Sequence, residues 1–253
     1  MFLRRFSDPV SVITYCIKKF STESGNRQVA KLKLDIYFDT ISPYSWPAFE
    51  VISRYKSRWN LDITWKPVFM GGLTVAAGNS YIESMTGCPN KASYTFKDLE
   101  TRTGRYFEIP LKMKSDPISH IGIIGSLSQQ RFVTAVQQEY PELLENICRE
   151  IWTRSWGPED LSSHTQEDLN IIATRAGLSA DQIKTCFEKQ KSPVVKQTLK
   201  DITEEAVERG AFGSPTLFFM QGDKEEMFWG SDRFDMIASI YGLEWAGPNP
   251  AKL

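Results

Sequence analysis

The order of apolar patterns along the 253-residue chain predicts an α/β fold: a βαβ unit, a long all-helical stretch and a closing ββα unit. Three observations carry this expectation. A strand pattern at 32–39, a helical pattern at 46–59 and a second strand pattern at 61–69 form a βαβ crossover of ordinary size. From Lys91 onward helix signals dominate for roughly a hundred residues. Strand character returns at 216–220 and 226–229, separated by the turn Gln221-Gly222-Asp223-Lys224, and a helix follows.

Each element has its own reason. Leu32 to Asp39 alternates at first and then closes into an apolar run, as a strand entering a core does. Ser42-Pro43-Tyr44-Ser45 punctuates the chain, and Phe49, Ile52, Tyr55 and Trp59 then recur at helical spacing, so this turn opens a helix. Ile63, Trp65 and Val68 mark the second strand, and Gly71-Gly72 with Gly78-Asn79 read as a loop. Helices are expected over 118–139 and 141–155, the second with Leu144, Ile147, Cys148 and Ile151 on one face. Another begins at Ser163, whose hydroxyl caps it while Gln166 closes the box. A longer one runs from Pro193 to Gly210, residues suited to a helix start and a helix end. The final helix opens at Ser231-Asp232 and turns Phe234, Ile237, Ala238 and Tyr241 inward.

Composition narrows the function. With 41% hydrophobic and 24% charged residues the chain is an ordinary globular protein, and no apolar run approaches the roughly 20 residues of a membrane span. Thirty basic side chains against 31 acidic ones leave a net charge of −1, which supplies no basic field for nucleic acid. Cys16, Cys88, Cys148 and Cys186 form no CxxC pair and read as free thiols of a reducing compartment. His120 and His164 stand far apart, one expected exposed and one packed, so neither a zinc site nor a serine-histidine triad is expected.

Both chain ends carry address-like features. Residues 1–30 hold Arg4, Arg5, Lys18, Lys19 and Arg27 among hydroxyl residues, with apolar positions at helical spacing, a composition that leans toward a mitochondrial transit segment. Asp8, Glu23 and Pro9 oppose that reading and leave an unstructured terminus as the alternative. Ala251-Lys252-Leu253 is similar to a Ser-Lys-Leu peroxisomal address, on a stretch that Pro248 and Pro250 should keep extended and exposed.

A βαβ half joined to a ββα half is the thioredoxin arrangement. It divides the chain into an extension at 1–30, a thioredoxin-like domain at 31–88 and 207–253, and a helical insertion at 89–206. In this fold the turn after the first strand sits at a helix N-terminus, where orphan N–H groups favour negative charge. Here that turn is Ser42-Pro43-Tyr44-Ser45, which cannot cycle through a disulfide but suits a thiolate carried by a ligand, with a serine hydroxyl donating to the sulfur. Ser214-Pro215, in Gly210-Ala211-Phe212-Gly213-Ser214-Pro215, suggests a cis peptide that turns the Ser214 backbone toward the helix start. Gly230-Ser231-Asp232-Arg233 offers N–H groups to a carboxylate and Asp232 to an ammonium. Taken singly, the three are equally a plain helix start, a loop and a capping turn.

With Trp245-Ala246-Gly247-Pro248, these segments make the sequence from about Leu34 onward resemble the kappa-class glutathione transferases, the DsbA-like branch of the thioredoxin superfamily that includes the 2-hydroxychromene-2-carboxylate isomerases. The resemblance implies glutathione as co-substrate, a small hydrophobic electrophile as its partner, and Ser42 as the catalytic residue that activates the sulfur. It implies glutathione contacts from Pro43, Tyr44, Asn79, Ser214, Pro215, Ser231 and Asp232, with Lys91, Asp98 and Arg233 as further positions. Ser214 departs from the family's usual leucine. The resemblance also implies a homodimer, a peroxisomal or mitochondrial home and, for the terminal tripeptide, a peroxisomal import receptor. A glutathione-dependent isomerase or peroxidase, or a non-catalytic thioredoxin-fold scaffold, are the alternatives.

Overall fold

The computed structural model describes residues 31–252, so the expected transit segment with Cys16, and Leu253 of the terminal address, lie outside the described residues. Four strands, β1 (Leu32–Phe38), β2 (Leu61–Pro67), β3 (Thr216–Gln221) and β4 (Lys224–Trp229), form one sheet in the order β2-β1-β3-β4. β1 runs parallel to β2, with Leu32 beside Leu61, and antiparallel to β3, with Ile36 beside Leu217. β3 and β4 form the expected hairpin, whose Gly222 takes the positive φ (61°) that its tight turn requires.

The two-residue period of the strands divides the core into layers. Leu34, Ile36 and Phe38 of β1 face the larger core with α1 (Ser45–Tyr55), as do Leu217 and Phe219 of β3. Tyr37 and Phe218 point to the opposite face, where Ala206 of α11 (Pro193–Glu208) packs. There Arg209 and Lys66 share Asp35 at 2.7 and 3.3 Å, so the half-buried charges of that face are paired.

Between β2 and β3 every regular element is helical. These are α2 (Met70–Ala76), α3 (Tyr81–Thr86), α4 (Pro89–Asp98), α5 (Gly104–Phe107), α6 (Pro117–Ser119), α7 (Leu127–Glu139), α8 (Leu144–Trp156), α9 (Gln166–Arg175), α10 (Ala180–Gln190) and α11. The closing helix, α12, spans Phe234–Tyr241. The whole is a thioredoxin-like α/β fold with a helical insertion. α7 anchors the insertion on the sheet, since Gln130 Nε2 donates to the carbonyls of Phe38 (3.0 Å) and Val68 (2.7 Å), at the ends of β1 and β2.

Several local expectations are corrected. The helix expected over 118–139 is broken: a π turn at His120–Ile124 ends at Gly125 (φ 67°, ψ −171°), and α7 starts only after Ser126. Gly71-Gly72 lie in a helix, α2, not in a loop, whereas Gly78-Asn79 do fall in the turn after it. A Cβ at Gly71 would lie 2.7 Å from the Phe69 ring, so its glycine serves close packing. Thr165, not Ser163, caps α9, and Asp168 completes its box, while Ser163 is buried and accepts Gln129 Nε2 at 2.6 Å. α12 opens at Phe234, with Ser231 and Asp232 in the turn before it.

The two histidines meet: a ring nitrogen of His164 lies 3.0 Å from one of His120, which is buried edge-on to Trp156. Burial pushes both imidazoles down, His120 to about 3. The C-terminal stretch is docked rather than free, because Tyr55 Oη–H and Arg54 donate to the carbonyls of Gly247 and Pro248, and Pro250–Lys252 form a 3-10 turn.

Candidate functional site

The C-terminal end of β1 delivers Asp39 and then the turn Thr40–Tyr44, from which α1 departs. Ser42 is only 3% exposed. Its hydroxyl donates to the Ser214 carbonyl at 2.9 Å and accepts the Ser45 N–H at 3.3 Å. The Ser214–Pro215 peptide is cis, as expected. The Ser214 hydroxyl accepts the Asp39 N–H and lies within hydrogen-bond distance of the Ser45 hydroxyl, both at 2.8 Å. Three serine hydroxyls therefore cluster at the start of α1.

Above them opens a cavity of about 670 Å³. All the residues that the resemblance implies, Ser42, Pro43, Tyr44, Asn79, Lys91, Asp98, Ser214, Pro215, Ser231, Asp232 and Arg233, line it. Their states differ. Asn79 donates to the Phe212 carbonyl at 2.8 Å and so braces the loop before Pro215. Lys91 donates to the Ser84 hydroxyl, and Asp98 holds Arg102 at 2.9 Å. Ser231 is buried, whereas the Asp232 side chain is 69% exposed and lies 3.6 Å from the Arg233 guanidinium, free to exchange that partner for a ligand's ammonium.

The apolar walls were not read from the sequence. Met70, Phe107, Ile121, Phe212 and Trp229 supply them, from five separate elements or links, and the only local signal was that Phe212 and Trp229 adjoin two of the motifs. The Phe212 and Trp229 rings pack at 5.0 Å beside Gly213, where a Cβ would lie 2.8 Å from the indole nitrogen. Asp39, also missed, lies fully buried beneath the turn. Its carboxylate accepts the N–H groups of Ile41 (2.9 Å) and Met70 (2.7 Å) and the Ser126 hydroxyl (2.6 Å). Burial raises its pKa to about 6 against the opposing pull of those donors. Among the described residues no group of three or more His, Cys, Asp or Glu side chains could hold a metal.

A family model described as a DSBA-like thioredoxin domain matches residues 33–242. Glutathione S-transferase kappa 1 of Homo sapiens is 36% identical over 217 residues, spanning 86% of this chain and 94% of the human protein. The chain belongs to the kappa-class glutathione transferases. Its likeness extends to the 2-hydroxychromene-2-carboxylate isomerase of Sphingobium xenophagum, 28% identical over 212 residues, with 81% of this chain and 96% of that protein covered. A solved 2-hydroxychromene-2-carboxylate isomerase shares the fold, with a TM-score of 0.66 at 22% identity, covering 83% of this chain and 94% of the other.

Proposed function

We propose that this chain binds glutathione with its sulfur over the Ser42 turn and adds the thiolate to a small hydrophobic electrophile. The observation that carries this reading is the placement of Ser42, Ser214 and the Ser231-Asp232 turn along one cavity to which Met70, Phe107, Ile121, Phe212 and Trp229 add apolar wall. The thiol would lie at the start of α1, where the helix dipole favours negative charge. The Ser42 O–H is held by a neutral carbonyl. A bound thiolate draws it away, because a hydrogen bond to a charged acceptor is the stronger one. Asp232 takes the γ-glutamyl ammonium, and Met70, Phe107, Ile121 and Trp229 shelter the electrophile. Rate then comes from a lowered thiol pKa and from positioning, with no covalent nucleophile supplied by the protein.

Calorimetry with glutathione tests the reading, followed by turnover of chlorodinitrobenzene. Saturable binding below millimolar concentrations supports it, and no binding assigns the motifs to structure alone. The likeness to the isomerases favours a second reading, glutathione-dependent isomerisation by the same thiolate, which assays with an isomerisable substrate distinguish. A homodimer, a peroxisomal address at Ala251-Lys252-Leu253 recognised by an import receptor, and a mitochondrial transit segment within 1–30 complete the proposal. Fusing a fluorescent protein after Leu253 separates the two addresses, since it masks only the terminal one.

A further inference from the structure

A buried carboxylate beneath a catalytic turn needs a reason, because desolvating a charge without a cationic partner is costly. Asp39 is 0% exposed, and its carboxylate accepts from neutral donors. From the turn comes the Ile41 N–H, from α2 the Met70 N–H, and from the Gly125–Ser126 link ahead of α7 the Ser126 hydroxyl. Among the described residues no ion pair involves Asp39, and no charged side chain contributes to its shift from the turn, α2, the 125–126 link or the Ser214 loop. The Asp39 backbone completes the arrangement. Its carbonyl accepts the Ser42 N–H at 3.1 Å, and its N–H donates to the Ser214 hydroxyl.

We propose that Asp39 is the positioning residue of the site, an acceptor-only clasp that fixes the Ser42 turn against α2 and the helical insertion. The inference rests on the glutathione reading above. Three donors converge on two oxygens, and only a carboxylate can accept from all of them. An asparagine would turn an NH₂ toward at least one N–H, and a protonated carboxyl would press its own O–H on the Ser126 hydroxyl. The break at Gly125 acquires a purpose here, since it brings Ser126 to the clasp instead of leaving it inside a helix. Through Met70, the clasp also sets the start of the α2 wall of the cavity.

The readout is the pKa of bound glutathione, followed by the ultraviolet absorbance of its thiolate in the full-length protein. Removing a buried negative charge favours a nearby thiolate by electrostatics alone, so Asp39→Asn would lower that pKa if charge were all that mattered. If Asp39 acts by holding Ser42, the same variant raises it, by about one pH unit. Ser126→Ala keeps both the charge and an intact turn sequence, and should raise it in the same direction by a smaller amount. A lowered or unchanged thiol pKa in both variants overturns the proposal, even if their melting temperatures fall. Should Asp39→Asn fail to fold, Ser126→Ala decides alone. Absence of a thiolate band in the parent protein refutes the glutathione reading instead, so the two failures are distinguishable.

Discussion

Replacing Ser42 by alanine should change the acidity of bound glutathione by an amount that follows from the hydrogen bond it now makes. The hydroxyl donates to the Ser214 carbonyl at 2.9 Å, a neutral bond worth about 1 kcal/mol net. Transferred to a thiolate it becomes charge-assisted, worth about 2–3 kcal/mol. The gain on ionisation is the difference, about 1–2 kcal/mol, or roughly one pH unit in the thiol pKa. Ser42→Ala should therefore lower kcat/KM for chlorodinitrobenzene about tenfold at pH values below the bound thiol's pKa, with the deficit narrowing above it. The variant also leaves the Ser214 carbonyl without this donor, so a loss of about 1 kcal/mol in stability is expected, and melting curves should accompany the kinetics. Superimposable pH–rate profiles for parent and variant would refute the reasoning, because the hydroxyl would then never reach the sulfur.

Other outcomes follow from neighbouring groups. Asp232→Asn should weaken glutathione binding about tenfold by calorimetry while sparing a thiol that lacks the glutamyl ammonium; equal losses make Asp232 a structural turn residue. Gly213→Ala places a Cβ 2.8 Å from the Trp229 indole nitrogen, and should cut glutathione affinity severalfold with little change in melting temperature, since Trp229 is 45% exposed; unchanged affinity rejects the aromatic wall. His120, held near pKa 3 by burial, resists a proton that the unfolded chain takes up below about pH 6.5, so its stabilising contribution is complete above that pH and is lost as the pH falls toward 3. His120→Phe keeps an aromatic ring against Trp156 and should recover about 2 kcal/mol of the stability lost between about pH 6.5 and 5, measured by urea unfolding; identical acid sensitivity rules this out.

What could be read from the sequence was whatever leaves a periodic or contiguous trace. β1 and β3 announced themselves because alternate residues serve two cores, Ile36 one and Tyr37 the other. α11 did so because Pro193 and Gly210 mark its ends. The serine turn and the Ser214–Pro215 loop were legible as short motifs, each complete within a few neighbouring residues. The misreadings share a physical cause. Ser163 and Thr165 are equally good caps by residue type, and what separates them is a tertiary partner: Gln129 takes the Ser163 hydroxyl, leaving Thr165 to accept the Asp168 N–H. The helix expected over 118–139 runs through Gly125 because nothing nearby declares that Ser126 is needed elsewhere.

Asp39 is the strongest case of this kind. Its position at the end of an apolar strand reads as an ordinary strand terminus, and its side chain acquires meaning only when positions 41, 70 and 126 converge on it. Periodicity reports which face a residue occupies, whereas polar satisfaction depends on which donors meet, and those donors come from a turn, a helix start and an insertion 87 residues away. The same separation makes the residue informative about function. A buried acid that raises its own pKa to about 6 weakens the fold near neutrality, because its folded-state pKa lies above the unfolded value and the stability it offers is lost as the pH rises through 6. The ionised form is therefore disfavoured relative to the protonated one even with its three donors in place. An apolar residue would leave the Ile41 and Met70 N–H groups without an acceptor, and an asparagine could not accept from both, so the carboxylate's place beneath Ser42 is accounted for by the turn it holds.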